Sequence, residues 1–499
     1  MASGAIWWIR RDMRLDDNPA AQRAMRAAAM IPLYVHSPSE EGAWPLGGAQ
    51  KWWLARGLKV FAASLAANGS RLVVLEGEHA KVIVDLARSV GATEVCWTRR
   101  LDPAGIAQEH RVEEALDKAG ISWSSSLSNH LVDPDDIVTQ TGNPYQVYTP
   151  FAKNLRARGK PSPPKPSPPK PSPPKPSPLK PCPSKSVRLD VFPSVTGAPA
   201  GVAIETLGLE PSRNWADGFQ AMWTPGEAGA QRRLALFVES GLAHYPSGRD
   251  EPAADGSSLL APHLAFGEIG IRRIWHAAAN SKSAPPESID KFHAELLWRE
   301  FATHVLFHFK HTDLKPLRAE YAKFPWRDDQ AALVAWQRGR TGYPLVDAGM
   351  RQLWQTGWMH NRVRMVAASF LVKHLLLPWQ DGARWFWDTL VDADLANNSL
   401  GWQWAAGCGA DAAPYFRIFN PTMQAEKFDG EAAYIKRWVP ELADLSAKHA
   451  ISPWNAPLLW RDSAPLTLGE AYPPPVVDHV FARQRALAAL TSVSRSAAK

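Results

Sequence analysis

Four clusters carry residue types at spacings that suit chemistry. The first lies in Lys291–Phe309, KFHAELLWREFATHVLFHF. Phe292, Glu295 and Arg299 recur at i, i+3 and i+7, one stripe of a helix, with Trp298 at its flank. A carboxyl beside large apolar rings is poorly solvated when charged, and its protonated form donates to a carbonyl. On these residues alone a plain Glu295–Arg299 ion pair at i, i+4 is the simpler reading.

The second cluster is Gly357–Met365, GWMHNRVRM. Trp358, Asn361 and Met365 form another i, i+3, i+7 stripe. An amide between an indole and a thioether suits a flat heterocycle; a core-facing stripe with a buried amide fits equally well. His360 falls off this stripe and reads as structural. The third is Leu390–Trp404, LVDADLANNSLGWQW, where Asp392, Asp394, Asn397 and Asn398 crowd an expected loop after a helix. Such a loop suits ligand hydroxyls and ring nitrogens, or is a solvated turn with helix caps. Calcium is excluded, because neither the EF-hand spacing nor a distal bidentate Glu is present. Trp402 and Trp404, two apart, cannot share one helix side. The fourth, Gly256–Leu260 (GSSLL), precedes a helical run. Small residues there can cradle phosphate through amides and hydroxyls.

These clusters need elements to position them. The N-terminal part alternates β runs, Ala5–Arg10, Ile31–Ser37, Arg71–Gly77, Thr93–Thr98 and Ile121–Ser126, with helical segments such as Lys51–Asn68 and His79–Val90. That pattern predicts an open parallel α/β sheet. No G-x-G-x-x-G follows the first run; Arg10–Asn18 stands there, so an ordinary dinucleotide site is not expected. Met1–Asp12 reads as a strand running into a charged turn and not as an export signal. Lys160–Lys185 repeats KPSPP, a polyproline spacer by composition. A passive insertion, a lysine arm near DNA and a ligand for a proline-reading module are its three readings. From Trp215 helical periodicity takes over, in Ile289–Lys310, Gly349–Trp354, Asn361–Leu377 and Ala383–Leu390. The expected organisation is an α/β domain over 1–135, a linker over 136–214 and an all-α domain over 215–490.

Composition narrows the classes. The 499 residues are 45% apolar and 21% charged, ordinary globular values. No apolar run reaches the ~20 residues of a membrane helix. Cys96, Cys182 and Cys408 are too few and scattered for a disulfide framework or zinc site, so no metal is expected, and a reducing, cytoplasmic setting is. The net charge is +7, but the repeat holds six lysines and no acid, so the rest carries about +1. Global charge therefore argues little for nucleic acid. The 23 Trp against 9 Tyr suggest stacking surfaces or redox wiring, with core filling expected to explain most of them.

At its longest motifs the chain resembles the photolyase/cryptochrome family, on its DNA photolyase side. The matching stretches are WIRRDMRLDDN (Trp8–Asn18), ELLWREF (Glu295–Phe301), GYPLVDAGMRQLWQTGWMHNRVRM (Gly342–Met365) and WQWAAGCGADAAPYFRIFNP (Trp402–Pro421). The similarity runs from the first strand to about Pro440, interrupted by the repeat. It implies an antenna-binding α/β domain and a helical domain that holds FAD. The resemblance places FAD at Tyr245, Ser257, Ser258, Leu260, Phe292, Arg299, Trp358, Arg364, Asp392, Asp394 and Asn398. Arg364 and Asp392 would pair beside the isoalloxazine, and Asn398 would face the nitrogen protonated on reduction.

The implied activity is blue-light repair of cyclobutane pyrimidine dimers in DNA by one-electron transfer. Trp298 and Trp404 would pack the flipped-out dimer, Glu295 and Asn361 would hydrogen-bond it, and Met365 would fill its apolar side. Arg249, Arg362, Arg417 and Gln424 match positions near the DNA backbone. Trp402, Trp379 and Trp326 match the relay that reduces the flavin; indole is easily oxidised, and short hops outrun one long tunnelling step. An antenna is implied, with methenyltetrahydrofolate favoured over deazaflavin or another flavin, and the protein is expected to be a monomer. Leu259, Ala261 and Phe292 depart from residues frequent in the family. Two alternatives stand. Repair of (6-4) photoproducts belongs to relatives with His at the positions of Asn361 and Met365. Plant-type cryptochrome photoreceptors carry Asp at the position of Asn398; such a reading would use the repeat or tail as output. The Gly342–Met365 and Asp392–Asn398 stretches are also similar to the photolyases nearest plant cryptochromes, so the subclass stays open.

Overall fold

The computed structural model describes residues 4–159, 161, 198–211, 215–411, 417–456 and 471–497. The proline repeat, Pro161 excepted, lies outside the described residues, as does Cys182. Five strands form one parallel sheet: β1 Gly4–Ile9, β2 Ala29–His36, β3 Val73–Glu76, β4 Ala92–Thr98 and β5 Ser122–Ser126. Their order is β3-β2-β1-β4-β5. β1 pairs with β2 and β4 and is buried along its whole length, which is why GAIWWI has no polar alternation. Helices Gly48–Ala67, His79–Val90 and Pro103–Ala119 lie between the strands in sequence. One core cluster joins Ile6, Trp8, Leu33, Ile83, Val95, Trp97 and Leu116. Each such side chain contributes roughly 2 kcal/mol on burial.

The chain divides into two compact units. The first comprises residues Met1–Asn214, Trp223–Ala243 and Ser258–Lys310; the second comprises Trp215–Met222, His244–Ser257 and His311–Lys499. The segment 215–490, expected as one helical domain, is thus shared between them. In the first unit the long helix Pro286–His308 packs against the helix Tyr148–Ala157, with Phe151 and Phe301 rings 5.3 Å apart. Among the described residues every secondary-structure element of the second unit is a helix. Its main helices are Pro344–Thr356, Asn361–Ser369, Trp379–Thr389, Leu395–Ala406, Pro421–Phe428 and His479–Ala497.

Three local expectations are corrected. The run Asn361–Leu377 is not one helix: it passes into a π turn at Phe370–His374, and Leu376 takes φ 57°, which ends it. Trp358 is not on that helix, so the stripe with Asn361 and Met365 reduces to those two residues. Asn397 and Asn398 are not in a loop; they sit in the first turn of Leu395–Ala406. The expectation that core filling explains most of the Trp excess fits Trp7, Trp8, Trp52, Trp53, Trp97, Trp336 and Trp379, which are all fully or nearly fully buried.

Candidate active site

In the second unit the helix Pro344–Thr356 stops at Gly357, φ 68°. A Cβ at Gly357 would fall 2.7 Å from Val391 and 2.8 Å from Phe219, so only glycine fits that turn. Val391 N donates to Gly357 O at 2.8 Å, which ties the segment entering Asp392 to the turn that carries Trp358. Asp394 caps the next helix, accepting from Asn397 N at 2.9 Å and from Asn397 Nδ2 at 2.7 Å. Arg364 reaches across from the Asn361 helix. Its Nη2 donates to both Asp392 oxygens, at 2.8 and 3.1 Å, and its Nε donates to Met359 O at 2.7 Å. Asn398 Nδ2 donates to Ala383 O at 3.0 Å, which directs that nitrogen to the neighbouring helix.

Asn361 is exposed and Met365 half-buried, one turn apart on the same helix. His360 caps that helix: its Nδ1 accepts from Arg362 N at 3.2 Å. Burial, reinforced by Arg364 and Arg362, lowers the imidazole to about 4, so His360 is neutral near pH 7 and structural. Trp404 is half-buried with its ring 6.4 Å from Phe419, whereas Trp402 is buried on the opposite side of the same helix. The Trp402 indole lies 5.0 Å from Phe386 and 6.1 Å from Trp336. A Cβ at Gly382 would meet Trp402 Cη2 at 2.0 Å, so the glycine admits this indole to the helix that opens with Trp379. Trp326, half-buried, packs 4.3 Å from Phe324 in a cluster with Leu376, and the flanking Arg327 and Asp328 are exposed. Arg327 N donates to Leu376 O at 2.8 Å, which fixes this segment close in the chain to Trp379.

Among the expected DNA contacts, Arg362 Nη2 donates to Asp250 Oδ1 at 2.6 Å, and Arg249 Cζ lies 5.5 Å over Tyr245. Arg417 is exposed, its guanidinium 5.1 Å over Phe419 and its carbonyl held by Lys373 Nζ. Gln424 is half-buried on Pro421–Phe428, and Ser257 is half-buried just before the first unit resumes.

In the first unit Phe292 is buried 4.8 Å from Phe237. Glu295, Trp298 and Arg299 follow on the same helix and are half-buried. Arg299 Nη1 donates to Asn129 O at 3.2 Å. Tyr148 stacks on Trp298 with rings 3.6 Å apart and 5° from parallel, covering one indole face. Leu260 is buried, and Ser258 O accepts from Arg233 Nε at 2.9 Å. Beyond the carboxyl ends of β1 and β4, where sheets of this order bind ligands, buried ions fill the crevice. Arg10 pairs with Glu109, and its Nη2 donates to Gly105 O and Gln108 Oε1, each at 2.9 Å. Arg100 pairs with Glu41 at 2.8 Å and Asp102 at 2.9 Å. The cavity left among Trp8, Tyr34, His79 and Phe266 is about 50 Å³, room for water and not for a fused heterocycle.

Tyr148, Asp250 and Lys373 escaped the sequence reading. The aromatic run Tyr145–Phe151 was the available signal for Tyr148; the other two had none. Among the described residues no three His, Cys, Asp or Glu side chains are grouped to hold a metal, and no helix is long and apolar enough to cross a membrane.

Comparison with known proteins shows the family. The family model for DNA photolyase matches residues 5–173, and that for the FAD binding domain of DNA photolyase matches 292–492. A deoxyribodipyrimidine photo-lyase from Agrobacterium fabrum is 44% identical, over 98% of each chain. Cryptochrome-2 of Arabidopsis thaliana is 35% identical over 97% of this chain and 78% of its own. The crystal structure of a bacterial class III photolyase from Agrobacterium tumefaciens superposes with a TM-score of 0.91 at 43% identity, covering 99% of this chain and 98% of that one. The chain belongs to the DNA photolyase family, within the wider photolyase and cryptochrome group.

Proposed function

We propose that this protein repairs cyclobutane pyrimidine dimers in DNA under blue light, with FAD as its cofactor. One observation carries the choice of lesion. Asn361 and Met365 stand one turn apart, neither buried, and offer an amide and a thioether where (6-4) repair calls for imidazole acids. Identity of 44% to a deoxyribodipyrimidine photo-lyase, over 98% of the chain, supports it.

The donor set fits a flavin: the Arg364–Asp392 pair supplies a fixed charged edge, Asn398 an amide, and Trp358 and Tyr245 flat apolar surface. Ser257, Ser258, Leu260, Phe292, Arg299 and Asp394 complete the proposed contacts. Held by these residues, FAD would supply the light-driven one-electron chemistry that opens the dimer. The chain's own residues do the rest. Trp298 presents the indole face that Tyr148 does not cover, and Trp404 presents another, to pack the fused pyrimidines. Glu295 hydrogen-bonds the carbonyl and ring N–H edge of the dimer and stabilises the radical anion as charge develops. Asn361 adds hydrogen bonds, and Met365 keeps water off the apolar side. Flipping costs less at a dimer, which is already poorly stacked. Arg249, Arg362, Arg417 and Gln424 hold the backbone. Trp402, Trp379 and Trp326 carry electrons to the resting flavin.

For the antenna we propose methenyltetrahydrofolate, bound by the segment 1–135 away from the 50 Å³ cavity, which is too small for it. A monomer working in the cytoplasm completes the proposal. The similarity to Cryptochrome-2 favours photoreception as the second reading; Asn398, where plant-type cryptochromes carry Asp, argues against it. Mixing the reduced protein with dimer-bearing and undamaged oligonucleotides in the light separates the two, since a photoreceptor leaves both unchanged.

A further inference from the structure

Around Arg362 the second unit gathers three cations, one ring and one carboxylate. Arg362 Nη2 donates to Asp250 Oδ1 at 2.6 Å, and its Cζ lies 4.4 Å from the Phe428 ring. Lys427 Nζ stands 5.0 Å from the same ring, and Arg249 Nε is 4.0 Å from Asp250 Oδ1. The side chains of Arg362 and Asp250 are 22% and 37% exposed, so solvent reaches the pair. The buried Arg362 Nε has no hydrogen-bond partner. An ion pair this exposed contributes about 0–1 kcal/mol to folding, so stability does not account for a carboxylate among three cations. A carboxylate and a phosphate compete for one guanidinium through the same charge-assisted geometry. Arg362 also follows Asn361 directly in the chain.

We propose that Asp250 is a displaceable placeholder on Arg362, holding its guanidinium until the backbone phosphate of a flipped-out nucleotide takes that place. The proposal rests on the reading of Asn361 as a dimer contact. A nucleotide delivered to Asn361 brings its own phosphate beside Arg362. Undamaged duplex keeps its bases stacked, so its nearest phosphate stays within reach of a freed guanidinium but is not placed to displace the carboxylate, and there the Asp250 contact persists. Arg362 therefore counts as a phosphate contact in the lesion complex and not in the complex with undamaged DNA. Asp250 is thus a positioning and specificity residue, not a catalytic one.

The test is the salt dependence of binding, measured with the FAD-loaded protein in the dark. Each phosphate neutralised on duplex adds about 0.9 to the slope of log K against log salt. For Asp250→Asn, the slope on undamaged duplex is expected to steepen by about 0.9 and the slope on dimer duplex to stay at the wild-type value. For Arg362→Gln, the dimer slope is expected to fall by about 0.9 and the undamaged slope to hold. In the Asp250→Asn/Arg362→Gln double variant the undamaged slope returns to wild type. An unchanged undamaged slope in Asp250→Asn overturns the proposal. So does a steep slope that survives in the double variant, which would place the gained contact on a group other than Arg362, or an equal steepening on dimer duplex in Asp250→Asn, which would reflect net charge alone. An Arg362→Gln dimer slope equal to wild type removes Arg362 from the backbone contacts and the proposal with it. Wild-type protein with no preference for dimer duplex would instead overturn the repair reading on which the proposal stands.

Discussion

Arg364 grips Asp392 through one nitrogen and both oxygens, at 2.8 and 3.1 Å, with the Asp392 side chain only 4% exposed. Removing the Asp392 charge leaves the half-buried Arg364 guanidinium without its counter-ion, at a cost on the order of 1–3 kcal/mol. Asp392→Asn is therefore expected to purify with less FAD and to unfold at lower denaturant than wild type. Flavin absorbance per protein and the denaturant midpoint check this. Wild-type values for both would show that the pair neither holds FAD nor supports the fold.

Glu295→Ala is expected to keep FAD and lower the repair yield. The side chain is assigned to substrate, and losing one charge-stabilising donor costs about 3 kcal/mol at the transition state. Competition with back electron transfer reduces the visible effect. The yield per photon absorbed is the measurement, and an unchanged yield removes Glu295 from the chemistry.

Trp379→Phe keeps most of a buried side chain and deletes an oxidisable indole. Trp402 already lies against the helix that Trp379 opens, and Trp326 reaches the exposed Arg327–Asp328 segment. The variant is expected to fold and bind FAD, yet fail to photoreduce oxidised flavin with external reductant. Repair by chemically pre-reduced protein is expected to persist. Photoreduction at the wild-type rate would mean that electrons take another path.

Lys373 is 4% exposed, and its Nζ donates to the carbonyl of Arg417. Burial, with the Arg417 charge adding, pulls the ammonium down to about 7. The unfolded chain keeps that proton up to roughly 10.4. Between those values the unfolded state binds more protons, so stability rises with pH across the window; below 7 both states are charged and the cost of burial is felt in full. Lys373→Met is expected to flatten this rise, a difference on the order of a few kcal/mol over the window. Denaturant midpoints from pH 7 to 10 test it, and parallel curves for the two proteins would contradict it.

The sequence displayed elements better than it displayed partners. The strands were legible because β1 to β4 are largely buried, which forces continuous apolar runs between helical segments. His79–Val90 was legible to the residue because its apolar face repeats at helical period. The π turn at Phe370–His374 was not, since a single wide turn barely disturbs that period. Gly357 was a readable stop signal that moves Trp358 off the following helix, and Asp394 a readable cap that places Asn398 within one. Contacts between distant segments left no local trace. Arg362 and Asp250 are 112 residues apart, and Tyr148 covers Trp298 from the linker. Residue types at the site were thus visible, while the groups that orient them were not.

The most direct test of the account is light-dependent repair by the purified, chemically reduced protein. An oligonucleotide with one cyclobutane thymine dimer and a second with one (6-4) photoproduct are incubated with it in blue light and in darkness, and the products are resolved by chromatography. Restored thymines are expected from the dimer in the light alone, with the (6-4) strand unchanged. A dimer that survives illumination by flavin-loaded, reduced protein would contradict it, as would repair of the (6-4) strand instead.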